Sequence, residues 1–381
     1  MLAAILAASA FLIIYTYLLY PAVLWLLTFW RKTETFADVV DEQKVSFVLA
    51  AYNEIAVIAE KLENALGLAY PPEKLELIAV SDSSEDGTDE AILAFRDRGV
   101  QFHRMERQSG KTLAQNAAVR FSTGEILVFS DANSIFAPDA LTQLLRPFVD
   151  AKVGAVCGEL RYRNPGEEGA GKGEGLYWRY ERFLKRRESL LSSTLGANGG
   201  IYAVRRTLFE ELDQAIISDF VMPVRVWRKG FRVVYAPDAV AVETTAATFK
   251  DEFRRRRRII ARSWYGLWRE AGVLNPLRHG FFAWQMFSHK VMRWLVPVFM
   301  AIAFLANLLL ATQTFFLYLL FAQLTFYGMA VVGSIDTRFL GRTFPFYLPA
   351  YFCATNLGAL FGLLSVLCGR RVSTWKPVER R

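Results

Sequence analysis

The chain has 381 residues, 53% of them hydrophobic, and a mean hydropathy of +0.21, which argues against a purely soluble protein and for apolar segments set beside a polar body. The formal net charge of +8 is concentrated at the edges of apolar runs, where anionic lipid attracts it, so nucleic acid is not the partner the charge implies. Cys157, Cys353 and Cys368 show no CxxC spacing, which excludes a disulfide framework and a cysteine zinc site.

In chain order, Met1 to Trp30 carries no charged residue. No basic n-region precedes it and no clean cleavage site follows, so residues 1–32 read as a retained anchor rather than a signal peptide. Arg31 and Lys32 behind that run, and Arg254 to Arg258 ahead of the next, place the intervening region in the cytoplasm. That region, residues 33–249, alternates short β-rich runs with helical stretches, the pattern of an α/β fold with a mainly parallel sheet. Strands are predicted at Val45 to Ala51, Leu75 to Val80, Val100 to His103, Ile126 to Ser130, Val153 to Val156, Ile201 to Val204 and Val233 to Tyr235.

Between the strands, Pro71-Pro72 stops a helix begun near Ile55, and Asn164-Pro165-Gly166 opens a glycine-rich loop reaching Gly175. Leu176 to Ser193 reads as a helix interleaving Tyr177, Trp178 and Tyr180 with Arg182 and Lys185. Lys250 to about Arg269 reads as a cationic amphipathic helix in the membrane interface, within an interfacial segment 250–293. Trp294 to Ile335 and Thr343 to Gly369 are uncharged. The polar Ala311-Thr312-Gln313-Thr314 divides the former, giving three further spans in 294–369 before a basic tail, 370–381. Four spans would put that tail on the outer side, against the positive-inside rule, so a re-entrant late segment is the alternative.

Ligands of open α/β sheets bind beyond the carboxyl ends of strands, and four polar motifs stand at strand ends or a helix start. Ala50-Ala51-Tyr52-Asn53-Glu54 follows the first strand, with helix capping by Asn53 as the plain alternative. Ser81-Asp82-Ser83-Ser84-Glu85-Asp86-Gly87-Thr88 follows the second and offers acceptors for ribose and base, or forms a solvated turn. Asp131-Ala132-Asn133 ends another strand with oxygen donors at i and i+2 suited to a hard divalent cation; a strand-ending turn is the alternative. Asp219 opens a helix as a candidate general base or as an N-cap. Gly110-Lys111-Thr112 is not a P-loop, because Met105 stands where its first glycine is required.

Taken together, Val45 to Trp264 resembles the family 2 glycosyltransferases of GT-A fold, membrane relatives of the cellulose, hyaluronan and chitin synthases, and the flanking spans resemble those of bacterial exopolysaccharide enzymes. The resemblance implies that Tyr52, Asn53 and Glu54 line a nucleotide pocket, that Asp82 meets uracil or ribose, and that Lys111 lies near the donor. It implies that Asp131 is the first acid of a DxD motif holding Mg²⁺ or Mn²⁺ with Asn133, that Asn198, Gly199 and Trp178 lie on the acceptor side, and that Asp219 is the base. Arg255 and Arg258 fall on the Gln-x-x-Arg-Trp signature of processive synthases, with Arg255 for glutamine and Ile259 for tryptophan. Ser81, Asn133 and Ser218 each stand where the family often has an acid.

The implied activity is inverting, metal-dependent transfer from a nucleotide-sugar, a UDP-sugar by the resemblance, to a membrane-associated acceptor such as a polyprenyl-diphosphate-linked glycan. The implied setting is a multi-pass protein of the bacterial inner membrane, in contact with lipid, with its catalytic domain in the cytoplasm. A processive synthase that also secretes its polymer is one alternative. A degenerate nucleotide-binding scaffold is another.

Overall fold

Val45–Ala51 (β1) is buried at every position, as a strand covered on both faces must be. Seven more strands follow among the described residues: Leu75–Ser81 (β2), Val100–Arg104 (β3), Ile126–Asp131 (β4), Ser134–Phe136 (β5), Val153–Arg163 (β6), Tyr202–Arg205 (β7) and Arg232–Thr244 (β8). This computed structural model describes residues 1–32, 36, 43–163, 171–244, 249–335 and 343–369. The strands form one eight-stranded sheet in the order β3-β2-β1-β4-β7-β6-β8-β5. β1 pairs in parallel with β2 and β4, β2 with β3, and β6 with β8, whereas β7 runs antiparallel to β4 and β6, and β5 to β8. The sheet is thus mixed and mostly parallel, as the alternating pattern predicts.

The helices of this domain are Ile58–Leu66 (α3), Thr88–Leu93 (α4), Lys111–Phe121 (α5), Ala140–Leu145 (α6), Gly171–Leu191 (α7), Ser218–Arg228 (α8) and Phe249–Arg269 (α9). Ahead of them, Leu2–Ile14 (α1) and Tyr20–Thr28 (α2) make one rod through a π turn at Tyr15–Leu19. After them come Pro276–Gln285 (α10), Met292–Leu310 (α11), Thr314–Ile335 (α12) and Phe344–Leu367 (α13). α10 continues through a π turn at Met286–Val291 into α11. Four rods among the described residues are long and apolar enough to cross a membrane, one before the sheet domain and three after it. Chain reversal between α11 and α12 falls at the polar Ala311 to Gln313, where it was expected.

Each sheet face has its own core. Phe47, Leu49, Ile58, Leu62, Leu141 and Phe148 pack in one. The other gathers Val48, Ala114, Val221 and Leu267, then continues through Phe282, Trp294 and Ala359, so the sheet domain and the apolar helices share packed interior. Two further joints hold them together. α9 lies against α13, where a Cβ on Gly358 would come within 2.8 Å of Arg256 Cβ, and one on Gly362 within 3.0 Å of the Arg257 carbonyl; glycines at i and i+4 let the two backbones approach. α7 is held by a desolvated polar cluster: Tyr20 Oη donates to Glu188 Oε1 at 2.6 Å, His289 Nδ1 lies 2.6 Å from the same oxygen, and Arg293 pairs with Glu181. Arg31, expected only to set topology, also donates to the Leu190 carbonyl at the end of α7 at 2.7 Å.

Several expectations are corrected. β6 and β8 run well past their predicted ends, because their outer halves pair with each other across a bulge between Gly158 and Glu159. β5 was not expected at all. Gly171 to Gly175, expected in the glycine-rich loop, is the first part of α7, with Lys172 and Glu174 as helix-forming residues between the glycines; the rest of that loop, and the basic tail, lie outside the described residues.

Leucine at Gly362 is expected to force α9 from α13 at an overpacking cost of about 1–3 kcal/mol, lowering the thermal unfolding midpoint of the detergent-solubilised protein. Leucine at Gly328, whose added Cβ meets nothing within 4 Å, is the control and leaves the midpoint unchanged.

Candidate functional site

The site begins with register. β1 places Ala51 opposite Ser81 of β2 and Ala50 opposite Asp131 of β4, so three motif-bearing strands finish level at one sheet edge. The loops after β1 and β2 are then stitched together. Asn53, at φ 52°, accepts from the Glu85 N–H at 2.9 Å, while its own N–H donates to Ser84 Oγ at 3.1 Å. Thr88 Oγ1 accepts from the Glu54 N–H at 2.9 Å. Asn53 therefore joins two loops and caps no helix; α3 starts after Val57.

Asp82 is fully buried and accepts from the N–H groups of Ser109 and Gly110, one on each carboxylate oxygen, at 2.7 Å. Burial raises its pKa, and these two N–H groups oppose the rise. Gly110, at φ 90°, turns the chain into α5, whose first residue is Lys111. The Lys111 ammonium pairs with Asp131 Oδ1. It also lies beside Asp219: a Cβ built on Gly199 would stand 2.7 Å from Asp219 Oδ2 and 3.2 Å from Lys111 Nζ. A glycine at 199 is what allows this close grouping.

Asp219 is the second residue of α8 and does not cap it; the N-cap is Ile217, with no side-chain bond. Its carbonyl accepts from the Ala197 N–H at 2.7 Å, tying α8 to the Gly196 to Gly200 segment. The preceding residues are fixed by α5 and α9: Thr112 Oγ1 donates to the Ile216 carbonyl at 2.8 Å, and Arg262 donates to the carbonyls of Ile216 and, at 3.0 Å, Gln214. Burial pushes the Asp219 carboxyl above its ordinary range, Lys111 opposes this and Asp131 adds to it. Burial brings Arg262 down to about 10, helped by Arg258 and opposed by Asp219.

Lys111, Asp131, Gly199, Asp219 and Arg262 border a cavity of about 890 Å³. Among the predicted site residues, Glu54, Lys111, Asp131, Asn133, Trp178, Asn198, Gly199, Asp219, Arg255 and Arg258 line it, whereas Tyr52, Asn53 and Asp82 do not. Its other end is walled by Tyr17 and Leu18 of the first apolar rod and by Tyr351, Phe352 and Thr355 of the last. Along one wall, the Trp178 and Tyr162 rings lie 4.4 Å apart and Arg255 donates to Tyr162 Oη at 3.0 Å. Lys185 donates to Asn198, whose Nδ2 donates to the Gly158 carbonyl at 2.6 Å.

Sequence reasoning missed four residues here. Arg262 resembles the other membrane-edge arginines of α9 in sequence. Lys185 was noted only as part of a helix. Glu243 lies at the end of β8, far from any motif. Lys61 is buried between the rings of Phe47 and Phe136, and donates to the Ser134 carbonyl behind the Asp131 to Asn133 turn. Burial lowers its pKa to about 7, against the pull of Asp131. Among the described residues no three His, Cys, Asp or Glu side chains group as a metal site. Asp131 and Asn133, both on the cavity wall, nevertheless carry oxygen donors of the hard kind that Mg²⁺ or Mn²⁺ takes.

Residues 46–213 match the profile of glycosyl transferase family 2. The chain carries a family 2 glycosyltransferase domain. It is 27% identical over 256 residues to the probable glycosyltransferase YdaM of Bacillus subtilis, covering 61% of this chain and 58% of that protein. It is 27% identical over 231 residues to the poly-beta-1,6-N-acetyl-D-glucosamine synthase of Staphylococcus aureus, covering 58% of this chain and 54% of that protein. The matched region thus spans little more than half the length of these relatives. In fold, the chain is similar to the mannosyltransferase PcManGT of Pyrobaculum calidifontis, solved with GDP-Man and Mn²⁺, at a TM-score of 0.70 and 23% identity over 94% of this chain and 99% of that one. The expected GT-A architecture with long apolar helices is therefore the one found.

Alanine at Gly199 puts a methyl within 2.7 Å of Asp219 Oδ2. The variant is expected to keep the thermal midpoint of the parent and to lose at least about tenfold in transfer rate, as small displacements of positioned groups do; parental rates would show that the close grouping is not needed.

Proposed function

We propose that this glycosyltransferase moves a single sugar from a nucleotide-linked donor, a UDP-sugar, to an acceptor anchored in the membrane, with inversion at the anomeric carbon. The observation that carries this reading is the continuity of one cavity from Lys111, Asp131 and Asp219 to Tyr17, Leu18, Tyr351 and Phe352 on the apolar rods. Along such a path the reacting end of an acceptor reaches the sheet edge while its anchor stays in the bilayer.

In this reading the donor diphosphate lies against Asp131, Asn133, Lys111, Arg255 and Arg258, and the acceptor hydroxyl lies beside Asp219, with Asn198, Gly199 and Trp178 along its approach. Asp131 and Asn133 would hold Mg²⁺ or Mn²⁺, which supplies charge neutralisation on the diphosphate. Lys111 and the arginines stabilise the departing nucleotide, and the Asp219 carboxylate takes the proton of the attacking hydroxyl. Asn53 and Asp82 act on the nucleotide through the loops they fix, and Tyr52 lies in the first of those loops. Arg31, Lys32 and the α9 arginines support a cytoplasmic side for the domain by the positive-inside rule.

Polymer synthesis is the second reading. It is favoured by the aromatic wall of Tyr162, Tyr177 and Trp178, on which sugar rings can stack. Ile259 in place of the signature tryptophan favours single addition.

Asp219→Asn is expected to abolish transfer and to leave UDP binding within about twofold; a near-normal rate removes Asp219 as the base. Because burial raises the Asp219 pKa, its base form is lost as pH falls through that raised value, so the acid limb of kcat is expected above the ordinary aspartate value of about 3.9. An acid limb at or below that value contradicts the assignment. EDTA is expected to stop transfer, and added Mn²⁺ to restore it.

A further inference from the structure

By the resemblance the family often has an acid where Asn133 stands; here Asp131 is the single carboxylate of the Asp131 to Asn133 turn, and it is already paired with Lys111. A divalent cation on a diphosphate is a hard acid that takes anionic oxygen, and one lysine-neutralised carboxylate is a poor donor set for it. The fold brings a second carboxylate to the same place. β5 leaves the turn and pairs antiparallel with β8, setting Ser134 opposite Glu243. Asn133 Nδ2 donates to Glu243 Oε1, and Asp131, Asn133 and Glu243 all line the cavity.

We propose that Glu243 is the second carboxylate of the divalent-cation site, the acid having moved from position 133 to position 243. This rests on the reading that a nucleotide diphosphate binds with its cation at Asp131. An aspartate at 133 would face Glu243 as one carboxylate against another, and the repulsion would push one of them toward the protonated form. Asparagine removes that conflict, and its N–H holds the glutamate at the cation edge. Lys61 stiffens the arrangement from behind by fixing the Ser134 carbonyl. Asn133 is thus one half of an exchanged pair.

Mn²⁺ binding to the full-length protein, followed by electron paramagnetic resonance with UDP present, tests this on four proteins: the parent, Glu243→Gln, Asn133→Asp and the double variant Asn133→Asp/Glu243→Gln. Glutamine keeps an acceptor for Asn133, so a purely positioning glutamate would be spared by it. Glu243→Gln is expected to weaken Mn²⁺ by at least about tenfold, and the double variant to regain most of the loss because the acid is back in the turn. The thermal midpoint is expected to be the same in all four, and Mn²⁺ binding is compared at UDP concentrations that saturate each protein. Mn²⁺ binding by Glu243→Gln within about twofold of the parent, or no recovery in the double variant, would overturn the assignment. A parent that binds UDP but no Mn²⁺ overturns the metal reading of the site itself.

Discussion

The site depends on the two parallel pairings of β1. Because Ala51 is level with Ser81 and Ala50 with Asp131, the loops that leave three strands emerge at one edge. A one-residue slip would turn every side chain of β1 to the other face, where a separate core is packed. The charges are set on this edge afterwards. Gly110 aims Lys111 at Asp131, and the bare backbone of Gly199 lets Asp219 join them. Lys111, Asp131 and Asp219 share a partly buried corner in which the one lysine lies beside both acidic side chains.

α9 ties that corner to the apolar helices. On one side its Arg262 holds the carbonyls of Gln214 and Ile216, just ahead of Asp219. On another it packs against Gly358 and Gly362 of the last apolar helix. A helix made only to lie on lipid would need neither contact. The Tyr20, Glu188 and His289 cluster makes a second joint through α7, which also carries Trp178 and Lys185 to the cavity. The wall between sugar chemistry and bilayer is therefore built from elements that belong to both.

Much of this was legible in the sequence. Uncharged runs marked the apolar rods, and the polar Ala311 to Thr314 marked a reversal. Strand-end aspartates marked the sheet edge. What could not be read had specific physical causes. β5 has three residues and exists only because β8 supplies its partner. β8 itself was cut short, since Asp238 interrupts its apolar run, and Glu243 disappeared with its outer half. Asp82 looked like a free strand-end carboxylate, yet a loop near Ser109 takes both its oxygens. Lys61, on an amphipathic helix, would ordinarily face water; its ammonium is instead held by a carbonyl and two aromatic rings.

Transfer of one sugar to an acceptor that stays in the bilayer is tested most directly by the mass of the radiolabelled product made in native membranes from a panel of nucleotide-sugars. One donor yielding a lipid-extractable species heavier than its precursor by a single sugar is the expected result. A water-soluble polymer, or no product from any donor, would contradict it.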